Sequence, residues 1–371
     1  MEELKENEFK PSYGVSTPQE EGLITKIHSN YYYVYFDNIT WECMLRNKIK
    51  KEGVDPKVGD KVLIESLNTE NNTAAIASVF ERKNEIEKPN IANIDQIVIV
   101  TSTYAPDFNP LQTDKFIVLA ESNNIEPIIC INKADQLDDE LKEFIEEIYS
   151  KTGYKIIYTS AKEKNGLDEL KKVLLDKTTV FTGVSGVGKS SLINELIPDL
   201  NLETKEVSKN LGTGRHTTRH VSLQKVFFDE HNFGFVADTP GFSFISFDKI
   251  YSKELAWYYK EFKPFISSCP LSGCLHCFEP NCNLKNNIDT ESARYLNYLN
   301  ILSDIINLEK IEKKRSLKKE AQVKVSTRAD GKNIRVVKLG TQAKESSRRV
   351  AKQEIQKIQK TTSISDFEED F

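Results

Sequence analysis

The chain has 371 residues, enough for two or three domains with separate cores, and its 39% hydrophobic and 29% charged residues exclude a disordered or fibrous protein. A net charge of −5 excludes a uniformly basic nucleic-acid binder, so any RNA contact must rest on local patches. No apolar run reaches the ~18 residues of a membrane span, and the opening MEELKENEFK lacks the apolar core of a secretory signal, so no membrane partner and a cytoplasmic location are expected.

From Gly22 to Phe80 the runs GLITKIHSNYYYVYF, TWECML, KVLIES and TAAIASVF are rich in aromatic and β-branched residues and carry no helical period. They predict a small closed barrel over residues 15–82, of the size of an OB-type barrel, which commonly presents a face to oligonucleotides. A purely structural β domain is the plainer alternative. The charged stretch ERKNEIEKPN, residues 81–90, reads as a linker. Beyond it, QIVIVTS, PIICINK, KIIYTS, TTVFTG and FGFVADT are apolar runs of the kind buried in a parallel sheet. LDDELKEFIEEIYSK and GLDELKKVLL between them are helix candidates, so residues 91–245 predict a doubly wound α/β domain. Residues 250–315 read as a helical domain interrupted by a cysteine cluster.

Within the α/β segment, TTVFTG runs into VSGVGKSSLINEL, which sets Gly183, Gly188, Lys189 and Ser190 in the spacing G-x-x-x-x-G-K-S. A strand before and a helix after are the context that a phosphate loop needs. Backbone N–H groups from Gly183, Val184, Ser185, Gly186, Val187 and Gly188 through Lys189, Ser190 and Ser191 would cradle phosphates. Lys189 would reach the β- and γ-phosphates and stabilise charge during transfer, and the Ser190 hydroxyl would ligate Mg²⁺.

IICINKAD ends an earlier strand in Asn132, Lys133, Ala134 and Asp135. A carboxylate there accepts from guanine N1–H and the 2-amino group, donors that adenine lacks, and charged hydrogen bonds are worth ~1.5–3 kcal/mol each. Ser160, Ala161 and Lys162 close the next strand and form a short loop suited to the base carbonyl. Taken alone, NKAD is equally a polar strand-to-helix turn; its distance to SAK and to the phosphate loop favours base recognition. DTPG (Asp238 to Gly241) follows the phosphate loop, with Asp238 placed to hold Mg²⁺ through water and the Gly241 N–H to meet the γ-phosphate. The base motif thus precedes the phosphate loop, the reverse of the conventional order, which is a circular permutation.

In this order the chain resembles the circularly permuted GTPases of the ribosome small subunit-dependent family, which act in small-subunit maturation. The resemblance runs over roughly residues 15–315. It implies hydrolysis of GTP to GDP and phosphate, and the small ribosomal subunit with its rRNA as partner. Thr218 is the implied third Mg²⁺ contact, with Thr217 as alternative. Phe242 stands where a water-orienting glutamine would, and the family pattern points to His216 as its substitute. A phosphate or RNA contact is an equal alternative for His216.

The stretch SSCPLSGCLHCFEPNCNL carries Cys269, Cys274, His276, Cys277 and Cys282, enough ligands for one tetrahedral Zn²⁺ with no open position. The resemblance selects Cys269, Cys274, His276 and Cys282; Cys277 is either a spare thiol or a replacement for His276. From Lys310 to Lys360 there are 17 Lys and Arg against 5 Asp and Glu. Residues 316–371 are therefore expected to be a basic, flexible tail, or an arm that folds on RNA, with a hairpin centred on Asp330-Gly331. The expected whole is a monomer of three domains and a tail. An RNA-binding scaffold that holds GTP, and a regulatory GTPase acting on a protein partner, are the competing readings.

Overall fold

The computed structural model describes residues 20–87, 89–197, 200, 221–229, 231–238, 247 and 249–320, and strand residues 323–327 and 333–337. Side chains are described up to residue 313, that of Asp238 excepted. His216, Thr217, Thr218, Gly241 and Phe242 lie outside the described residues. The chain divides into two compact units, Met1–Ile305 and Ile306–Phe371.

The expected barrel is present. Strands β1 (Glu20–His28), β2 (Tyr31–Phe36), β3 (Ile39–Leu45), β4 (Lys61–Asn68) and β5 (Thr73–Val79) follow the order β1-β2-β3-β5-β4, and β1 pairs with β4 to close the ring. A short helix, α1 (Asn47–Lys51), lies between β3 and β4. Alternation sends Ile24, Val34, Trp41, Cys43, Val62, Ile64 and Ile76 into one core. Asp37 and Asn38 both take positive φ, the turn that matches strand twist in a two-residue hairpin.

Residues 81–90 are not the plain linker that their charge suggested. Arg82 donates to buried Asp60 at 2.8 Å and to Glu85 at 2.6 Å, and the two-residue strands β6 (Glu85–Ile86) and β7 (Ile91–Ala92) pair within the segment. Arg82 and Glu85 are partnered across the fold rather than solvated, with Lys57 donating to Glu85 at 3.0 Å.

The α/β domain follows as β8 (Gln96–Ser102), α2 (Pro110–Ser122), β9 (Glu126–Asn132), α3 (Asp139–Tyr149), β10 (Lys155–Tyr158), α4 (Leu167–Leu174), β11 (Thr178–Thr182), α5 (Lys189–Leu196), β12 (Ser222–Phe227) and β13 (Phe233–Asp238). Its strands lie in the order β10-β9-β8-β11-β13-β12, all parallel except β12, which runs antiparallel to β13. Every residue of β8 and of β11 is buried, as expected for strands covered on both faces. One face packs Ile97, Ile99, Ile129 and Ile131 against Phe116, Ile117 and Ile145, from α2 and α3. The other packs Val98, Val100 and Ile157 against Leu170, Leu174 and Leu192, from α4 and α5. The strand leading to the phosphate loop therefore sits inside the sheet, with β8 on one side and β13 on the other.

The C-terminal part of the first unit holds two single 3₁₀ turns, Leu255–Tyr258 and Lys260–Phe262, then α6 (Lys263–Ile266), α7 (Asn283–Asn287) and the start of α8 (Ala293–Glu320). The cysteine segment between α6 and α7 is irregular, the interruption that the sequence led one to expect. A buried polar cluster ties this C-terminal part to the α/β domain. Asp114 of α2 accepts from Tyr149, Asn297 and Arg294, and Arg294 also donates to Glu261 at 2.7 Å. In the second unit the expected hairpin forms as β14 (Val323–Thr327) and β15 (Asn333–Val337), antiparallel with Thr327 opposite Asn333.

Candidate functional site

The phosphate loop, the base motif and the SAK segment meet at one end of the sheet, where β8, β9, β10 and β11 finish. Gly183 leaves β11 with φ +141°, and a Cβ there would lie 2.0 Å from the Val100 carbonyl oxygen. Gly188, at φ +91° ahead of α5, would place a Cβ 2.3 Å from Asn132 Nδ2. Both positions need glycine for conformation and for space. Lys189 Nζ donates to the carbonyls of Gly183 and Val184 at 2.6 and 2.9 Å. Burial pushes its pKa down to about 8. An ammonium that is desolvated and held by neutral carbonyls alone is well suited to gain from an arriving phosphate.

Just past the end of β9, Lys133 is left-handed at φ 60°, and Ala134 to Gln136 then make one 3₁₀ turn that lifts Asp135 into solvent. Asp135 accepts from the Ser160 hydroxyl at 2.6 Å, which holds its carboxyl below the usual range and leaves it ionised to accept from a base. Ser160 in turn accepts from the Glu163 N–H, so its position is fixed. Lys162 is exposed and pairs only loosely with Glu163 at 3.8 Å.

Asn132 and Lys133 join the base motif to the phosphate loop. Asn132 is buried; its Nδ2 donates to the Val187 carbonyl at 2.8 Å, and its Oδ1 accepts from the Ala161 N–H at 3.3 Å. Lys133 Nζ donates to Gly186 O at 2.9 Å and to the carbonyls of Tyr104 and Ala105 at 3.0 and 2.6 Å. Both side chains clamp the phosphate loop to the base loops. The segment Thr103 to Pro106 was missed in the sequence because nothing local marks carbonyls that a lysine nearly thirty residues away will hold. Thr103 Oγ1 completes the knot by donating to the Lys133 carbonyl. Lys189, Ser190 and Ser191 are the first three residues of α5. Val180 is level with Ala237 across β11 and β13, so Asp238 ends its strand beside the one that carries the phosphate loop.

In the C-terminal part, Cys269, Cys274, His276 and Cys282 bring their ligand atoms within 4.8 Å of one another. Tetrahedral coordination with bonds of ~2.3 Å to sulfur needs neighbouring ligands about 3.8 Å apart, so a small shift closes the group on a metal ion. Cys277 lies outside the cluster. Its N–H, with those of Leu275 and Phe278, donates to the Glu279 carboxylate. Burial alone would raise that carboxyl, but the three N–H groups hold it at about 2. Glu279 thereby shapes the turn that presents His276, at φ 56°, toward the cysteines. Tyr295 and Tyr298 of α8 donate to the His276 and Leu275 carbonyls, anchoring the turn from behind.

A phosphate loop joined to a guanine motif that precedes it in the chain, on a sheet that still assembles with the loop inside, defines a circularly permuted P-loop GTPase. Residues 79–248 match the family model described as RsgA GTPase, and residues 21–76 match the RsgA N-terminal domain. The chain is 44% identical over 291 residues to the small ribosomal subunit biogenesis GTPase RsgA 2 of Oceanobacillus iheyensis, covering 77% of this chain and 97% of that one. It is 42% identical, with the same coverage, to the RsgA of Geobacillus kaustophilus. Among solved structures it resembles YjeQ from Thermotoga maritima (TM-score 0.66, 34% identity, 78% of this chain and 99% of that one). It equally resembles YloQ, a circularly permuted GTPase (TM-score 0.66, 34% identity, 80% and 98%). The chain belongs to the RsgA GTPase family and is a GTP-hydrolysing enzyme. No helix among the described residues is long and apolar enough to cross a membrane.

Proposed function

We propose that this GTPase is stimulated by the small ribosomal subunit and acts late in that subunit's assembly, as a cytoplasmic monomer that contacts rRNA. The observation that carries the reading is the direct clamp of base loop to phosphate loop by Asn132 and Lys133, on a permuted sheet flanked by an OB-like barrel and a Cys₃His module. The matched relatives named for small-subunit biogenesis support the choice of partner. In this reading residues 15–82, 91–245 and 250–315 are three functional domains, and residues 316–371 a basic extension.

Asp135 accepts from guanine, and Ser160, Ala161 and Lys162 support the base. Lys189 stabilises charge between the β- and γ-phosphates while water attacks in line. Ser190, Asp238 and Thr218 would hold Mg²⁺, which when bound would neutralise charge on the β- and γ-phosphates. The Gly241 N–H meets the γ-phosphate, and His216 orients the attacking water in place of a glutamine. Cys269, Cys274, His276 and Cys282 suit one structural Zn²⁺, because thiolate and imidazole donors favour it and four of them leave no open position.

Turnover measured with separated ribosomal subunits tests the reading. Small subunits should raise kcat strongly and large subunits should not. His216→Ala should lose most of the stimulation, by ~10²–10³ as for other charge-stabilising groups, with GTP affinity intact. Equal stimulation by both subunits, or none by either, would sink the assignment.

A further inference from the structure

The barrel is joined to the GTPase sheet at its edge. Strand β1 pairs with β12 at Lys26 and Ser222, and Ser222 pairs in turn with Asp238 across β12 and β13. One row of backbone therefore runs from the barrel to the residue assigned above to Mg²⁺. Beside that row, Leu23 and Ile27 of β1 pack into the core that holds Leu223 and Ala237.

A second contact lies further along the same hairpin. Tyr35 of β2 meets Phe233 and Phe235 edge-on, with ring centroids 5.7 and 5.6 Å apart. Lys225 of β12 stands opposite Phe235 in register and holds its ammonium 3.7 Å from the Tyr35 ring centroid and 4.9 Å from that of Phe233. Edge-on rings and a cation over a ring face are directional contacts, so they fix the lateral position of β2 against β12, which plain apolar burial would not do. None of these residues is part of the nucleotide-binding machinery, and a barrel that served only to bind RNA would need no oriented contact with this hairpin.

We propose that Tyr35 and Lys225 are positioning residues of the GTPase reaction: they lock the β12–β13 hairpin to the barrel and so hold Asp238 in place for magnesium. The proposal rests on the magnesium role of Asp238. Its consequence is that the barrel sets the Mg²⁺ dependence of the nucleotide site.

Release of a fluorescent GDP analogue, followed across a Mg²⁺ titration, is the test, with hydrogen exchange of residues 222–238 measured in parallel. Tyr35→Leu and Lys225→Met should each raise the Mg²⁺ needed to slow release by roughly threefold or more, the size of one cation–ring contact. Release without Mg²⁺ should be unchanged. Tyr35→Phe and Lys225→Arg, which keep ring and cation, should restore the parent titration. If the Leu and Met variants exchange faster in 222–238 yet keep the parent's Mg²⁺ dependence, the contact is only a structural staple and the proposal is overturned. An Asp238→Ala control separates the two possible failures. Parent-like Mg²⁺ dependence in that variant would remove the magnesium assignment itself, and the coupling with it.

Discussion

Replacing Asn132 tests the clamp at its centre. Asn132→Ala deletes the 2.8 Å bond to the Val187 carbonyl and the 3.3 Å bond from the Ala161 N–H, both at a buried position. A buried group left without its partner costs about 1–3 kcal/mol, the longer bond at the lower end, so the sum is ~2–4 kcal/mol. Because the bonds join one part of the fold to another, part of the loss should appear in folding stability and the rest in binding. At 1.4 kcal/mol per tenfold, GTP affinity should fall by at least about tenfold, with a lower denaturant midpoint. Asn132→Asp separates the hydrogen bond from side-chain volume. It is nearly isosteric but turns an oxygen toward the Val187 carbonyl, setting two acceptors against each other, so it should be worse than Ala. Affinity is read from titration with a fluorescent GTP analogue and stability from urea unfolding. If both variants bind within threefold of the parent and unfold at the same midpoint, the clamp contributes nothing and the argument is wrong.

Lys189, at about 8 in the free protein, is mostly charged at pH 7 and loses its proton above pH 8. Bound phosphate favours the ammonium, so binding takes up a proton there; GTP affinity should be flat below pH 8 and fall above it, by up to about tenfold per unit. A pH-independent Kd up to pH 9.5 would count against phosphate contact by Lys189. Asp135→Asn should weaken GTP and improve xanthosine triphosphate, whose 2-oxo group accepts where the guanine amine donates; unchanged nucleotide preference would remove base recognition from Asp135. Metal analysis should find about one zinc per chain, lost in Cys282→Ser and retained in Cys277→Ser; the reverse pattern would overturn the ligand set. Arg294→Met leaves Asp114 buried without its cation and should cost ~3–5 kcal/mol of stability, while the double change with Asp114→Leu recovers most of it; equal losses in single and double variants would deny the pairing.

Motif spacing made the nucleotide site legible, because glycine conformations and phosphate-facing amides demand fixed residues at fixed intervals. The barrel strands were legible from their aromatic and β-branched runs. Strand β12 was not, since SLQKVF mixes polar and apolar residues and lies at the edge of the GTPase sheet. Residues 81–90 read as a linker because composition cannot tell a solvated charge from one paired with Asp60, twenty-two residues away. For Cys277, spacing alone left it interchangeable with His276. The turn held by Glu279 decides, by keeping Cys277 outside the cluster. Lys133 shows the same limit: the motif marks the lysine, but nothing in it marks the loop before α2 whose carbonyls hold it.

That loop gives the part with the Cys₃His cluster a physical connection to the phosphate loop. Arg294 and Asn297 of α8 bind Asp114 on α2, and the segment from Thr103 to Pro106 that leads toward α2 supplies the carbonyls that seat Lys133 against Gly186. A buried ion pair is a weak source of net stability compared with apolar packing, but it tolerates few alternative orientations. Here it fixes the orientation of α8 on α2 rather than mere adhesion. The barrel meets the same sheet on the opposite flank, through β12. The phosphate loop thus lies between two oriented contacts, one reaching it through Lys133 and one reaching the strand beside it, which ends in Asp238. In a chain whose base motif comes first, that arrangement ties two modules to the sheet that carries the phosphate loop, one through α2 and one through β12.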